Sequence, residues 1–276
     1  MIGKVYFLGS GTGYRFAYRG KRNTSLLMEL PQAGLLVDTG PSFIENFLQL
    51  ENNFQKLPIV KAVFLTHRHP DHILGFPELL FAQREEDFRK TNEEPYPKRL
   101  AVEDLFCPQD VYDILKEVVS KMDPEAAALM GKLRVNILKT SPQTFTIYEG
   151  KLTVFVLPHG GVLSWGLRIG DTSYIPDCGE VPKAALRIVA GSKRIILACN
   201  SVDKDEPPHF NLLKALAWAR QLEGLSTLVL THLGLDFDLK MNIFHRETAK
   251  EPFEVVLSHD FMELKPEEPK PKKPAG

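Results

Sequence analysis

Three histidines and an aspartate fall within six residues directly after a short apolar run, and this stretch constrains the chain more than any other. The run from Val60 to Leu65 is rich in β-branched and aromatic residues, which predicts a buried strand. Four residues of metal-ligating type follow at once: His67, His69, Asp71 and His72. Imidazole nitrogens and carboxylate oxygens are ligands that Zn²⁺ and similar divalent ions accept. The sequence therefore predicts a metal site at the end of a strand.

The spacing within this stretch indicates two neighbouring ions rather than one. His67 and His69 lie two positions apart, so in extended chain their side chains point to the same side and can share an ion. Asp71 and His72 are adjacent, and the turn at Pro70 carries them to a different side. The chain has only eight histidines in 276 residues. A solvated loop that is rich in histidine by chance is therefore the weaker interpretation.

Four further polar residues stand where other apolar strands are predicted to end, at the place where α/β proteins usually build their sites. They are Asp38, His159, Asp177 and His232. Taken singly, each is more often a loop residue or a hydrogen-bonding partner than a ligand. Together they repeat the pattern of the His67 stretch. They also bring the number of candidate ligands to what two ions need, which is about seven or eight with positions left open for water.

The remaining histidines and two late aspartates have less specific patterns. His209 follows two prolines just before an amphipathic helix, and it is as readily a surface-loop residue as a functional one. His245 and His259 have no partners in sequence and are predicted to be structural or solvated. Asp236 and Asp238 follow the His232 strand. They either orient ligands or begin the next helix.

A glycine run near the start precedes a cluster of cations. The segment from Gly9 to Gly13 lacks the Gly-Lys-Ser/Thr that a phosphate loop needs, so a flexible loop is the better interpretation. Four cations follow it: Arg15, Arg19, Lys21 and Arg22. They form either a solvated surface or, if the loop faces the metal, a rim that attracts and binds an anionic substrate.

Strand and helix patterns alternate along both halves of the chain. Helical spacing covers 42–52, 73–86, 111–122, 124–133, 182–189 and 212–222. Strand patterns cover 4–8, 23–30, 34–37, 60–65, 135–138, 145–148, 152–157, 164–169, 172–175, 194–198, 227–230 and 255–257. Residues 84–99 are charged and non-periodic, which indicates an insertion. This order predicts two stacked sheets flanked by helices in one α/β domain. Periodicity alone does not exclude a Rossmann-like sheet, and the metal residues favour the stacked sheets.

Composition limits the partners. Hydrophobic residues make up 43% and charged residues 25%, as in an ordinary soluble domain, and the net charge is −1. We expect neither nucleic acid nor an anionic membrane as an obligate partner. The start is too short and strand-like for a signal peptide, and the three cysteines lack disulfide or metal spacing, which fits a cytoplasmic protein. Residues 265–276 are rich in proline and charge and predict a disordered tail after a hydrolase domain of 1–264.

The segment from Thr66 to His72 resembles the His-x-His-x-Asp-His signature of the metallo-β-lactamase-fold hydrolases. The order of Asp38, the His67 loop, His159, Asp177 and His232 likewise resembles the ordered motifs of that superfamily. The resemblance implies an αββα sandwich of four layers with two divalent ions, Zn²⁺ or Mn²⁺, at one edge. It implies one ion held by His67, His69 and His159 and another by Asp71, His72 and His232. Asp177 would bridge the two, and Asp38 would orient the loop.

Within that superfamily, four segments resemble the cyclic-phosphate phosphodiesterases of bacterial phosphonate degradation. These are the run from Asp38 to Phe43, Tyr174-Ile-Pro-Asp177, Pro208-His209 and the run from Leu230 to Asp238. The resemblance implies hydrolysis of a small phosphodiester, cyclic ones included, by a water that bridges two ions. Asp71, His209 and Asp38 would take part in catalysis, with His209 as an imidazolium at the phosphate. Two features depart from that group: Leu235 replaces a histidine often found there, and Gly13 to Tyr18 replaces a zinc-binding cysteine cluster.

Three other functions remain open on the sequence. One is a nuclease of the tRNA 3′-processing type, although neither the composition nor residues 84–99 offer a convincing basic arm. Another is an acyl or thioester hydrolase of the same fold. A third, from a different class, is a metal-binding scaffold protein. We expect a small-molecule phosphodiester as the partner, no membrane partner and nucleic acid as a less favoured partner, and we leave a homodimer open.

Overall fold

The computed structural model describes residues 2–13, 21–41, 43–54, 57–89 and 99–266, apart from the side chains of 52–53 and 86–89. Arg15 and Arg19, residues 90–98 of the predicted insertion and residues 267–276 of the predicted tail lie outside the described residues. Among the described residues, no helix combines the length and the apolar character needed to cross a bilayer.

The described strands form two seven-stranded sheets, one from each half of the chain. The strands of the first half are β1 (Val5–Gly9), β2 (Ser25–Glu29), β3 (Gly34–Val37), β4 (Val60–Phe64), β5 (Leu100–Pro108) and β6 (Arg134–Leu138). Those of the second half are β7 (Gln143–Ile147), β8 (Gly150–His159), β9 (Val162–Ile169), β10 (Thr172–Ile175), β11 (Arg194–Ala198), β12 (Thr227–Thr231) and β13 (Glu254–Leu257). A last short strand, β14 (Glu263–Leu264), returns to pair with β1.

Each sheet contains a parallel half whose strands end at the same edge. The first sheet has the order β14-β1-β2-β3-β4-β5-β6, and β3 to β6 run parallel. The second has the order β13-β12-β11-β10-β9-β8-β7, and β10 to β13 run parallel. Because the carboxyl ends of parallel strands meet at one edge, residues that follow them gather there.

Helices cover the outer face of each sheet. The helices of the first half are α1 (Phe43–Asn53), α2 (Pro70–Ile73), α3 (Phe76–Arg89), α4 (Gln109–Met122) and α5 (Pro124–Met130). Those of the second half are α6 (Lys183–Val189), α7 (Leu212–Ala219), α8 (Asp236–Leu239) and α9 (Met241–Thr248). One apolar cluster lies between each sheet and its helices, and a third lies between the two sheets. The predicted αββα sandwich is confirmed.

Burial on both faces explains the unbroken apolar run of β4. Ala62 and Phe64 belong to the cluster between the sheets, whereas Val63 belongs to the cluster under the helices of the first half. A strand that is covered on both faces has no solvent side, so its sequence does not alternate between polar and apolar residues. The strand that precedes the metal-ligating stretch is therefore central to the fold.

The structure differs from the sequence predictions at several elements, among them helix α9, which no helical spacing predicted. Strand β5 has no counterpart among the predicted strands, although it lies next to β4 in the centre of the first sheet. The helix predicted over 73–86 is divided into α2 and α3 around Leu74 and Gly75. Residues 255–257 were predicted as the last strand, but β14 follows. Its two residues are too few to carry a pattern of their own, and they are recruited by pairing with β1.

Candidate metal centre

Seven predicted ligands come together at the edge where the parallel strands end. His67, His69, Asp71 and His72 occupy the loop after β4 and the first turn of α2, and His159 is the last residue of β8. Asp177 follows β10 and His232 follows β12. Their donor atoms form two groups: His67, His69, His159 and Asp177 in one, and Asp71, His72 and His232 in the other; a third group joins Asp177 and His232 to His209.

The first ion position is defined by three imidazole nitrogens. His69 Nδ1 lies 3.0 Å from His67 Nε2 and 3.2 Å from His159 Nε2. Two nitrogens bound to one tetrahedral Zn²⁺ at about 2.0–2.1 Å would be roughly 3.3 Å apart. The spacing of the three nitrogens therefore matches a single shared ion.

The second ion position combines a carboxylate with two imidazoles. Asp71 Oδ2 lies 3.4 Å from His232 Nε2 and 3.8 Å from His72 Nε2. His72 Nε2 and both ring nitrogens of His232 are buried without a well-aligned hydrogen-bond partner in the described part of the chain. Buried polar atoms are normally satisfied. These nitrogens therefore fit a site where an ion completes their bonding.

Asp177 lies between the two positions. One of its carboxylate oxygens, Oδ2, is 3.7 Å from His159 Nε2 and 3.6 Å from His72 Nε2, and the other, Oδ1, is 3.3 Å from His232 Nδ1. The side chain is almost fully buried. A carboxylate that faces ligands of both sets is suited to serve both ions. This placement agrees with the bridging role that the family resemblance implies.

Asp38 sets the orientation of the metal loop. Its carboxylate accepts hydrogen bonds from the Thr66 backbone N–H at 2.8 Å and from the Thr66 hydroxyl at 3.0 Å. His72 Nδ1 lies 2.8 Å from Asp38 Oδ2, and a carboxylate only accepts, so Nδ1 carries the hydrogen and Nε2 faces the second ion position. Asp38 thus acts through His72 and Thr66. It is a positioning residue for the site.

Thr66 extends the same chain of hydrogen bonds to the first ion position. Because its hydroxyl donates to Asp38, it can accept from His67 Nδ1, which lies 2.9 Å away. The hydrogen on Nδ1 leaves the Nε2 lone pair of His67 free to bind an ion. The residue directly before the histidine signature therefore selects the ring form that a metal needs. This role of Thr66 was not predicted from the sequence.

Burial and charge separate the ionisation of the ligands. Burial lowers the pKa of His67 well below its usual range and lowers that of His159 to about 4. Burial alone would also lower the pKa of His72, but the carboxylates of Asp38, Asp71 and Asp177 raise it well above its usual range. Burial opposes ionisation of Asp71 and Asp177 as well, yet the surrounding histidines hold both carboxyl pKa values well below normal.

Two glycines allow the Asp38 loop and the metal loop to touch. A Cβ at Gly75 would lie 2.3 Å from the Gly40 carbonyl oxygen, and one at Gly40 would lie 2.5 Å from the Asp71 carbonyl oxygen. Thr39 bonds across the same contact, donating its N–H to the His72 carbonyl and accepting from the Gly75 N–H, both at 2.7 Å. Larger residues would push the two loops apart. The break between α2 and α3 lies at this contact.

His209 joins the cluster as part of a third group of donor atoms, together with Asp177 and His232. Its Nδ1 lies 3.7 Å from Asp177 Oδ2, and its ring centroid is 4.9 Å from that of His159. Its side chain is 21% exposed, whereas those of His72, His159 and His232 are at most 2% exposed. The side chain therefore lies in the cluster rather than on an open surface loop, and its function stays a prediction.

The described cations of the basic segment contact other parts of the protein. The Arg22 guanidinium donates to Asn46 and, at 2.8 Å, to Gln49, both on α1. Lys21 pairs with Asp238 at 2.8 Å. The predicted contact of Arg22 with a substrate therefore stays a prediction, and so do those of Arg15 and Arg19, which lie outside the described residues.

Asp236 and Asp238 begin helix α8, and neither is among the cluster's ligands. Asp236 accepts a hydrogen bond from the Val202 N–H at 2.9 Å, in the loop that leads to His209. Gly13, by contrast, reaches the cluster, and its N–H donates to Asp71 Oδ2 at 3.0 Å. The glycine run predicts a flexible loop, but the sequence does not reveal which part of the protein that loop contacts.

The fold is an αββα sandwich, and two ion positions with one carboxylate between them lie at one of its edges. This combination is typical of a metal-dependent hydrolase. A family model described as "Beta-lactamase superfamily domain" matches residues 34–233, most of the chain. The chain therefore belongs to the β-lactamase superfamily. The matched range holds all seven predicted ligands and His209.

Individual relatives agree with this assignment. The "Anti-Pycsar protein Apyc1" of Paenibacillus sp. (strain J14) is 29% identical over 235 residues, which cover 83% of this chain and 89% of that protein. A ribonuclease Z of Synechococcus sp. (strain CC9311) is 35% identical over 79 residues, which cover 28% of this chain and only 24% of that protein. The crystal structure of a diphosphatase from the PhnP family superposes with a TM-score of 0.71 at 20% identity, covering 96% of this chain and 98% of that one.

Proposed function

We propose that this hydrolase is a phosphodiesterase that acts on a small phosphodiester, cyclic phosphodiesters included. The observation that carries the proposal is His209. It is a partly exposed imidazole that groups with Asp177 and His232, and both ion positions have three other ligands without it. If the metal ligands alone were sufficient for hydrolysis, this imidazole would have no function. It has one if the substrate carries a negative charge and a leaving oxygen, to which the imidazole can donate.

The two ion positions fit divalent cations with mixed nitrogen and oxygen ligands, and we propose Zn²⁺, with Mn²⁺ as the alternative. When bound, such ions supply an activated water near neutral pH and positive charge beside the phosphoryl oxygens. The chain's own residues would hold the ions. His67, His69 and His159 would hold one, and Asp71, His72 and His232 would hold the other, with Asp177 between them.

His209 is placed to donate a proton or a hydrogen bond to the substrate. Burial, and after it His232, lowers the pKa of His209 in spite of the nearby Asp177 carboxylate. The resting form at neutral pH is then a neutral imidazole rather than the imidazolium that the family resemblance implies. A neutral imidazole still donates through its N–H, to a phosphoryl oxygen or to the leaving oxygen.

The names of two similar proteins support chemistry at phosphorus. A diphosphatase and a ribonuclease both act on phosphate linkages, whereas the acyl and thioester substrates of other hydrolases with this fold contain no phosphorus. The loop that carries His209 also contains Asp203, Asp205 and Glu206 around a single lysine. Each pairs with a lysine, Asp203 with Lys240, Asp205 with Lys214 and Glu206 with Lys204, so this loop adds no net positive charge to attract a long polyanion.

A ribonuclease is the second candidate function, and the local identity with ribonuclease Z is the observation that favours it. That identity spans about a quarter of the ribonuclease, so it says little about how a long RNA would be held. Cleavage of a precursor tRNA by the metal-loaded protein, at a rate above that for bis-p-nitrophenyl phosphate, would favour this second function.

Hydrolysis of bis-p-nitrophenyl phosphate by metal-loaded protein tests the proposal. We expect metal-dependent turnover that Asp71→Ala abolishes and that His209→Ala reduces by about 10²- to 10⁴-fold, the usual contribution of a positioned acid or base. His245→Ala is the matched control, because it removes an exposed histidine from α9. Cyclic phosphodiesters would be assayed next.

The outcomes separate the alternatives. Two bound ions without phosphodiester turnover would contradict the proposal and favour acyl or thioester substrates. Turnover that His209→Ala leaves intact would remove the role of His209. Wild-type protein that binds no ion would overturn the metal centre itself.

A further inference from the structure

We infer that Asp260 is a positioning residue for the second ion position, that of Asp71, His72 and His232. Asp260 lies in the turn between β13 and β14, near the end of the described chain. It acts through the glycine loop, defined here as residues Gly9–Gly13. The inference rests on the metal centre of the proposed function, but it does not depend on which substrate is hydrolysed.

The carboxylate of Asp260 ties together the two ends of the segment that contains the glycine loop. Its Oδ1 accepts from the Ser10 N–H at 2.9 Å and from the Ser10 hydroxyl at 2.8 Å. Its Oδ2 accepts from the Arg22 N–H at 3.0 Å. Charge-assisted hydrogen bonds of this kind are stronger than neutral ones. One side chain, about 250 residues away in sequence, thus closes the base of the segment.

Backbone hydrogen bonds continue this closure above Asp260. The Gly11 N–H donates to the Arg22 carbonyl at 2.8 Å, and the Gly11 carbonyl accepts from the Thr24 N–H at 3.0 Å. The Thr24 hydroxyl donates to the same carbonyl at 3.1 Å. Ser10 and Thr24 are buried. These hydrogen bonds therefore hold the base of the glycine loop in place, and Asp260 supplies the carboxylate that takes part in them.

From this base the glycine loop reaches two ligands of the second ion. The Gly13 N–H donates to Asp71 Oδ2 at 3.0 Å, and this is the oxygen that faces His232 and His72. The Asn23 side chain holds Gly13 in place by donating to its carbonyl at 3.1 Å. Gly13 has a φ of +54°, which glycine adopts without strain.

The second contact is made by Ser10, which Asp260 binds directly. The Ser10 carbonyl accepts from the Leu233 N–H at 2.8 Å. Leu233 follows His232, whose own φ is +56°, a conformation that is costly for a residue with a side chain. Contacts on both sides of such a residue are needed to keep it there. Ser10 provides one of them.

The first ion position has other supports. His67 is held through Thr66 and Asp38, and His159 ends β8 in register with Val162 of β9. Loosening the glycine loop should therefore weaken the second ion and leave the first nearly unchanged. This selectivity distinguishes a positioning role from a general contribution to folding.

The test measures metal affinity in Asp260→Asn and Asp260→Ala, by calorimetric titration of the metal-free protein with Zn²⁺ and by metal analysis after dialysis. In Asp260→Asn the amide NH₂ faces one of the N–H donors, so one side of the closure is lost. Since loss of an outer partner usually costs about 10–100-fold in metal affinity, we expect the second ion to bind at least about 10-fold more weakly. The first should change by less than about 2-fold.

Asp123→Ala is the matched control. Asp123 also caps a backbone N–H, that of Glu125 at 2.8 Å, and pairs with Arg84 at 2.7 Å, but it does so at the start of α5. We expect this variant to bind both ions as the wild type does. Ser10→Ala, which removes only the hydroxyl contact, should show a smaller loss confined to the second ion.

Three results would overturn the inference. They are wild-type affinity for both ions in the Asp260 variants, equal weakening of both ions, and the same selective loss in Asp123→Ala. Should Asp260→Ala fail to fold, Asp260→Asn and Ser10→Ala carry the test alone. Absence of phosphodiesterase activity would contradict the proposed substrate class and leave these affinities fully interpretable. Wild-type protein that binds fewer than two ions would overturn both proposals.

Discussion

The two ion positions are built from similar ligands, but they are supported in different ways. The first takes His67 and His69 from the loop after β4 and His159 from the end of a regular strand. The second takes Asp71 and His72 from the short helix α2 and His232 from a residue with a positive φ. In the second position, Asp38 contacts His72 and Gly13 contacts Asp71. Ser10 bonds the backbone of the residue after His232. All three supporting residues lie in loops.

The difference shows how much supporting structure each position needs. The first position is supported locally, because the strand that His159 ends aims its side chain and Thr66, the residue before His67, holds that ring. The second position is supported from distant segments, because Gly13 donates to Asp71 and Ser10 bonds the residue after His232. We therefore expect the first ion to tolerate loop substitutions that release the second. The predictions below follow from this asymmetry.

The largest effect is expected from Asp177→Asn, which should weaken both ions and so show no difference between the two positions. Asp177 faces ligands of both ions, so we expect both affinities to fall by more than the about 10–100-fold typical of an outer partner. Phosphodiester turnover should fall to background. Metal analysis after dialysis checks the first expectation. Loss of only one ion would mean that Asp177 serves a single position.

Asp38→Asn should affect the second ion selectively. An amide in place of the carboxylate would set an NH₂ against one of three donors, those of Thr66 and His72, in a fully buried site. We expect the second ion to bind about 10–100-fold more weakly. The first should weaken less, because Asp38 reaches it only through the Thr66 hydroxyl.

Calorimetric titration of both ions measures this difference between the two positions. His245→Ala again provides the unchanged reference. An equal loss at both positions would indicate that Asp38 supports the whole loop rather than His72.

The two positions should also differ in their dependence on pH. The pKa of His72 is raised, so in the metal-free protein a proton occupies the nitrogen that binds the second ion. That proton stabilises the metal-free fold below the raised pKa, and its contribution is lost as the pH rises through it. Since the ion must displace the proton, its affinity should fall up to about tenfold for each pH unit below that pKa.

The first ion should resist acid better. Burial lowers the pKa of His67 and sets that of His159 to about 4, so these nitrogens are already free of protons near neutral pH. Titrations at about pH 6 and about pH 8, in buffers of different ionisation enthalpy, would count the protons released by each ion. Equal proton release at both positions would contradict the prediction.

The smallest effect is expected from Gly75→Ala, which should lower the free energy of unfolding. The new Cβ would overlap the Gly40 carbonyl oxygen at 2.3 Å and crowd Phe43 at 2.8 Å. Overpacking of this kind costs about 1–3 kcal/mol of the free energy of unfolding. Urea denaturation measures it, with Gly131→Ala as control, because a Cβ there meets nothing closer than 3.5 Å. A neutral Gly75→Ala would mean that the two loops do not need their close contact.

Much of the site could be predicted from sequence because its ligands follow strands. The apolar runs before Asp38, His67, His159, Asp177 and His232 are buried in the structure, and the structure brings all the predicted ligands together. His209 could not be decided this way, since a histidine after two prolines has no periodic context. Strand β5 was missed because charged residues interrupt its pattern at Glu103 and Asp104.

By itself the sequence determined the ligand types, their order and the sheets whose ends present them. Those properties are local: a buried strand needs a continuous apolar run, and an ion needs nitrogen or carboxylate donors at the end of it. Only the tertiary structure decided that Asp177 lies between the two ion positions, that His209 faces it, and that Asp260 ties down the glycine loop. These contacts join residues far apart in the chain. No spacing within the sequence encodes them, because they arise when distant strands pair within a sheet, as β14 does with β1, and when the two sheets pack face to face.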